Sequence, residues 1–139
     1  MKKNILHNSL TQFSCIEIFR LEELRTGEFD YYQRFDFHLL LWNTETDGNI
    51  TFNIDFNDFE TAGSQAVVIY PYQNIKIDLT DKKGYLFLIH NDVFFGINQK
   101  IGSDYLNGFF INQLVSLSGK NAITMRTLVD LILEEYNSG

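Results

Sequence analysis

Cysteine and proline are all but missing from this chain: its 139 residues include one of each. Cys15 alone cannot close an intrachain disulfide, and a lone thiol fits a reducing compartment. Set in an apolar stretch, it reads as buried and inert rather than as a nucleophile. One proline and nine glycines leave no room for a Pro/Gly-rich linker. A chain of this length and composition is one domain, large enough for a single core.

Positive charge is scarce as well. Eleven Lys and Arg stand against 18 Asp and Glu, a formal net charge of -7. Lys2, Lys3, Lys82, Lys83 and Lys100 are scattered rather than clustered. A chain of this sign does not itself bind phosphate backbones. Long hydrophobic runs are also absent: nothing approaches the ~20 apolar residues that span a bilayer. The two N-terminal lysines lead into no apolar segment of a secretory signal. The chain therefore reads as cytoplasmic, with no membrane contact.

Catalytic vocabulary is thin. His7, His38 and His90 lie far apart, in no H-x-H or H-E-x-x-H spacing. With a single Cys, the three or four convergent ligands of a zinc, iron or manganese site are not in view. No metal or other cofactor is expected. No G-x-S-x-G, P-loop or G-x-G-x-x-G occurs. Asp55, Asp58 and Glu60 surround an expected hairpin tip, where carboxylates are solvated rather than raised in pKa. No residue is assigned a catalytic role, and the chain is not read as an enzyme.

What is present is aromatic and apolar patterning: 45% hydrophobic, 15% aromatic, with 13 Phe and 7 Tyr. Residues 1–90 alternate with period two. Cys15 to Arg20 reads as a short strand, and Phe35 to Trp42 as a strand whose two faces are both apolar towards its end. Ile50, Phe52, Ile54 and Phe56 alternate with polar residues, Asn57 and Asp58 read as a hairpin turn, and Phe59 to Thr61 as the returning strand. Ala66 to Tyr70 is a buried strand closed by Pro71. Ile75, Ile77 and Leu79 alternate with Lys76 and Asp78, and Tyr85 to His90 is a last apolar strand. About seven short strands at this spacing predict a barrel or sandwich.

Residues 91–139 turn helical. Leu106, Phe109, Phe110, Leu114 and Leu117 share one stripe, with Gly119 placed to end the helix. Asn121 is a candidate N-cap for a second helix with Met125, Leu128, Val129, Ile132 and Tyr136 on one face. Leu131 and Leu133 widen that face. Such breadth implies either a partner or a helix tucked fully against the barrel. His38 has two readings: a half-buried ring with one backbone hydrogen bond, or a polar group in a pocket wall. Trp42 and Tyr70 are core residues or stacking platforms.

Several words follow one another in order: Asp36 to Thr44, Gly48, Asn57 to Gly63, Val67 to Gln73 with its Pro-x-Gln exit, Gly84-Tyr85-Leu86, and Asn91 to Phe95. The series resembles the N-terminal cupin-like domain of AraC-type transcriptional regulators, over roughly residues 15–136. The resemblance implies a mainly β fold with C-terminal helices: a cupin or jelly-roll β-barrel at 1–90, then a helix pair at 91–139. It implies a small effector held in the barrel, a homodimer through the closing helix, and DNA contact only through a C-terminal helix-turn-helix domain that this chain lacks. The chain is accordingly expected to be part of a longer protein.

On that reading the effector contacts His38, Trp42 and Gln73. Leu128, Leu131 and Ile132 carry the dimer contact. One departure matters: Ile75 stands where the family tends to have a histidine, and the cupin metal set is not reproduced. Ile75, Ile77, Leu86 and Leu88 then line the barrel with apolar groups, which suits a sugar less well than a less polar metabolite. Two alternatives stay open: a stand-alone small cupin enzyme of isomerase or dioxygenase type, and an interaction module whose barrel is filled by its own side chains.

Overall fold

The chain folds back on itself at Asp55 and Phe56, and the described strands on either side of that tip pair as one antiparallel ribbon. The structure, a computed structural model, describes residues 16–24, 26–45, 47–101, 115–116 and 122–138. At the tip both residues are left-handed, with φ of 50° and 70°. That is the two-residue turn whose twist matches the strands it joins. The turn joins β3 (Ile50–Ile54) to β4 (Asn57–Thr61), with Ile54 opposite Asn57. The turn expected at Asn57 and Asp58 thus sits two residues earlier, and both of those residues belong to β4. Asp55 holds it there: its Oδ1 accepts from the Asn74 backbone N–H at 2.9 Å, and Asn57 Nδ2 donates to its carbonyl at 3.3 Å.

Away from the tip the pairings nest. β2 (His38–Asn43) pairs with β5 (Gln65–Ile69), Gln33 bridges to Ile75, and β1 (Ile16–Arg20) pairs with β7 (Gly84–Ile89). The ribbon then winds so that β2 also pairs with β7, and β3 with β6 (Ile75–Ile77). Two antiparallel sheets result, ordered β1-β7-β2-β5-β8 and β4-β3-β6. Among the described residues no strand pairing joins the two sheets.

β7 leads into α1 (Asn91–Ile101), and α2 (Ala122–Ser138) closes the described chain. A mainly β chain with C-terminal helices is what the patterning predicted. The first helix begins directly after β7, where the sequence turns helical. Of the stripe expected over 106–117, residues 106–114 and 117 lie outside the described residues, as do Cys15, Gly119 and Asn121. Val115–Ser116 is a strand, β8, paired with Gln65 and Ala66. It adds an edge to the larger sheet.

Two apolar clusters follow from strand alternation. Leu39 and Leu41 of β2, Val67 and Ile69 of β5, and Leu86 and Leu88 of β7 point inward and meet Phe52, Ile54, Ile75 and Ile77 of the other sheet. Leu40, Val68 and Phe87 point outward and meet Phe94 and Ile97 of α1 and Leu128 and Ile132 of α2. β2 is therefore buried on both faces, as its sequence predicted. Each such side chain contributes about 1.5–3 kcal/mol relative to exposure. No helix among the described residues is long and apolar enough to cross a membrane.

One backbone position is fixed by sterics. Gly84 has φ of 147°, and a Cβ there would collide with the Trp42 carbonyl oxygen across the β2–β7 pairing. Only glycine takes that conformation without strain.

Candidate functional site

The six residues expected around a ligand fall into three places. Ile75 and Ile77 on β6 and Leu86 on β7 meet between the sheets, in the inner cluster. Lys76, between the two isoleucines, points the other way and is exposed. Ile75, Ile77 and Leu86 are buried in the apolar core, where Phe52, Leu39 and Leu41 share the space.

His38 and Trp42 lie on the opposite face of β2. A strand alternates its side chains. With Leu39 and Leu41 inward, residues 38, 40 and 42 must face the helices. Trp42 is half-buried there beside Tyr85, ring centroids 5.6 Å apart. The sheet itself stands between this pair and Ile75, Ile77 and Leu86. The two groups do not converge on one volume.

His38 is the most constrained polar group of the outer face. Its ring stacks on Phe94 of α1 at 3.8 Å, with planes 9° apart, and meets Tyr70 edge-on at 5.4 Å. Nδ1 lies 2.9 Å from Asn91 Oδ1. Asn91 Nδ2 donates to the Asp36 carbonyl at 2.7 Å. With the amide nitrogen engaged in that way, Oδ1 is the acceptor, so Nδ1 of His38 carries the proton. Burial lowers the His38 pKa from 6.5 to about 4, against a smaller opposing effect of the Asn91 bond. The ring is neutral at pH 7. Burial likewise pushes the Tyr70 phenol above its ordinary value. Asn91 and Phe94 belong to the Asn91 to Phe95 word of the sequence, but nothing there paired them with His38.

Gln73 sits at the rim. Its Oε1 accepts from the Tyr70 backbone N–H at 2.9 Å, and its Nε2 donates to Asp55 Oδ2 at 3.3 Å. It closes the turn after β5 and ties that turn to the ribbon tip.

On α2, Leu128 and Ile132 are each 0% exposed, packed on the chain's own larger sheet. Leu131 is half-buried, and Thr127, Asp130, Glu134 and Tyr136 are exposed. For a partner, the helix offers Leu131 and Tyr136. Leu128 and Ile132 are already engaged.

The smaller sheet carries a feature that the sequence did not flag. On its outer face is an open groove of about 510 Å³, lined in part by Tyr32, Asn53, Asp58, Glu60, Lys76 and Asp78. Register sets the rows across it: Lys76, Asn53 and Asp58 lie side by side, and Thr51 is opposite Glu60. Among the described residues no three His, Cys, Asp or Glu side chains converge to hold a metal ion. No family model matches the chain, and no curated protein matches it.

Proposed function

We propose that the chain is the effector-sensing and dimerisation half of an AraC-type transcriptional regulator. Its output would pass to a C-terminal helix-turn-helix domain outside this sequence. The observation that carries the reading is the order of the wound ribbon. Counting Gln33 as the remnant of one more strand, the ribbon has eight positions. The first pairs with the last, the second with the seventh, the third with the sixth and the fourth with the fifth. That nesting agrees with the strand order of a jelly roll, the fold of cupins, laid out here in two sheets that no strand pairing joins among the described residues. The helices α1 and α2, laid on one sheet behind it, agree with the resemblance in residues 15–136.

In this reading the larger sheet links the two halves of the device. Its inner face belongs to the effector space and its outer face holds the helices. An effector seated between the sheets meets Ile75, Ile77 and Leu86, so an apolar metabolite suits the lining better than a sugar. Its binding shifts the dimer only through a difference in affinity between two arrangements. The outer face offers the second arrangement a lever at His38, where β2 meets the start of α1.

One observation favours a second reading. Between the sheets the chain's own side chains, Leu39, Leu41, Phe52, Ile54, Ile75 and Ile77 among them, form a buried apolar cluster. A core of this kind suits an interaction module that senses a protein partner and holds no small molecule.

The gene downstream of codon 139 tests the regulator reading. Two helix-turn-helix patterns are expected there, and a reading frame that closes without them overturns it. A thermal-shift screen of sugars and apolar metabolites then separates the two readings. A ligand that binds the native state raises the melting temperature in proportion to the logarithm of its concentration above Kd. No shift from any compound favours the module.

A further inference from the structure

We propose that the outer face of the smaller sheet, with Tyr32 and Phe56 at its end, is a docking surface for an arginine-bearing segment of a partner protein. The inference is independent of the regulator reading. It starts from Phe56, which is 68% exposed and left-handed at φ 70°. Bulky side chains rarely take that conformation, and glycine or asparagine would fill the turn without strain. A large aromatic held in a strained turn and turned to solvent gains little within the chain. Its contact is Tyr32, itself 43% exposed, at 4.8 Å between ring centroids.

The groove beside Tyr32 has the complementary charge for a cation. Asp58, Glu60 and Asp78 line it. Each is oriented by a neutral donor: Asn53 Nδ2 to Asp58 at 2.9 Å, Asn49 Nδ2 to Glu60, and the Thr80 backbone N–H to Asp78 at 3.0 Å. Among the described residues none of the three is paired with a cation. Lys76, in their midst, places its ammonium over the Tyr32 ring, 5.4 Å from the centroid. The ring already accepts a cation while the carboxylates stay open.

Arginine fits this arrangement better than lysine. Its planar guanidinium stacks on an aromatic face and bonds a carboxylate through two parallel N–H groups at once. The groove, open along the sheet, accommodates a segment carrying more than one such side chain. The sign of its charge disfavours nucleic acid and anionic lipid.

Fluorescence anisotropy of a labelled hexa-arginine peptide, with the whole chain at about 0.15 M salt, tests the proposal. Asp58→Asn with Glu60→Gln, and separately Phe56→Gly, are each expected to weaken binding about tenfold. Glu17→Gln with Glu134→Gln removes the same charge from the larger sheet and α2, and should leave affinity within about twofold. Hexalysine should bind several-fold more weakly than hexa-arginine. Equal losses in the two charge pairs would mean bulk attraction and overturn the proposal. So would an unchanged affinity in the Phe56→Gly variant, or no binding of hexa-arginine. Self-association of the wild-type chain that Phe56→Gly abolishes, without peptide binding, would assign the face to a second copy and overturn it equally.

Discussion

His38 lies flat on Phe94, ring on ring at 3.8 Å, and this stack pins the start of α1 to the outer face of β2. The Asn91 amide completes the joint, bonding the imidazole on one side and the Asp36 carbonyl on the other. Burial of the joint favours a neutral ring. Burial holds the folded pKa at about 4, below the ordinary 6.5. The unfolded chain therefore takes up a proton first as pH falls. The contribution is whole above about pH 6.5 and is lost progressively towards pH 4. At ~1.4 kcal/mol per pKa unit, discounted for the ring's partial exposure, the loss is about 2 kcal/mol. Urea midpoints measured across that window should fall with pH in the wild type. The slope should flatten in His38→Phe, which keeps the stack and removes the titration. An unchanged slope would remove His38 as its source.

Gly84 should tolerate no side chain. Gly84→Ala places a methyl group against the Trp42 carbonyl where β7 pairs with β2. The backbone must shift in a strand that lies between β1 and β2 and pairs with both. A loss of at least ~2 kcal/mol is expected in the denaturant midpoint. The neighbouring Lys83→Ala, at an exposed position, should be close to neutral.

The strand that follows Gly84 was among the more legible elements, since Tyr85 to His90 reads as one apolar run, and in the structure it opens one residue earlier, at Gly84 itself. The alternation of Ile50, Phe52 and Ile54 was equally plain. Other features were hidden for physical reasons. Phe35 to Trp42 is apolar on both faces, so periodicity could not say which face held His38 and Trp42. Two residues that looked like one pocket wall with Ile75 thereby fell on the far side of the sheet. The tip at Asp55 and Phe56 was missed because phenylalanine is not a turn residue, whereas Asn57 and Asp58 are. β8 is two residues long, too short for any period to register. The groove on the smaller sheet is made of alternate polar residues, which read only as a solvated face.

Asn43 is expected to be the least replaceable polar residue of the core. It is fully buried at the end of β2 and satisfies both ends of its amide. Nδ2 donates to the Gly48 carbonyl at 2.7 Å and to the Thr61 carbonyl at 3.2 Å, and Oδ1 accepts from the Glu45 N–H at 3.0 Å. Asn43→Leu keeps the volume but strands those backbone groups, at about 2–4 kcal/mol for the set. Hydrogen exchange should then show Glu45 and its neighbours exchanging faster than the rest of β2.

Phe56 should behave in the opposite sense. Phe56→Gly relieves the left-handed strain at the ribbon tip and removes an exposed ring. Glycine also loses more freedom on folding, so the net gain is modest, ~0.5–1 kcal/mol. A higher melting temperature in the variant would mean that the wild-type residue is kept at the expense of stability. A lower one would show that its packing on Tyr32 outweighs the strain.

The closing helix separates a folding role from an association role. Leu128→Glu buries an unpaired carboxylate beneath α2, where Leu128 is 0% exposed, and should unfold the helix from the sheet. Leu131 is only half-buried, so Leu131→Glu can turn its charge to water and leave the fold intact. If α2 forms the dimer contact, Leu131→Glu weakens association about tenfold or more while circular dichroism stays that of the wild type. Sedimentation equilibrium from low to high micromolar concentration measures it. A wild-type chain that remains monomeric throughout would remove the dimer role from α2. A dimer unaffected by Leu131→Glu would move the contact to another face of the chain. Tyr136, exposed five residues further along and about 140° round the helix from Leu131, tests a different face of α2. A contact centred on Leu131 should leave association in Tyr136→Ala close to that of the wild type, and a loss there would place the partner on the Tyr136 side of the helix.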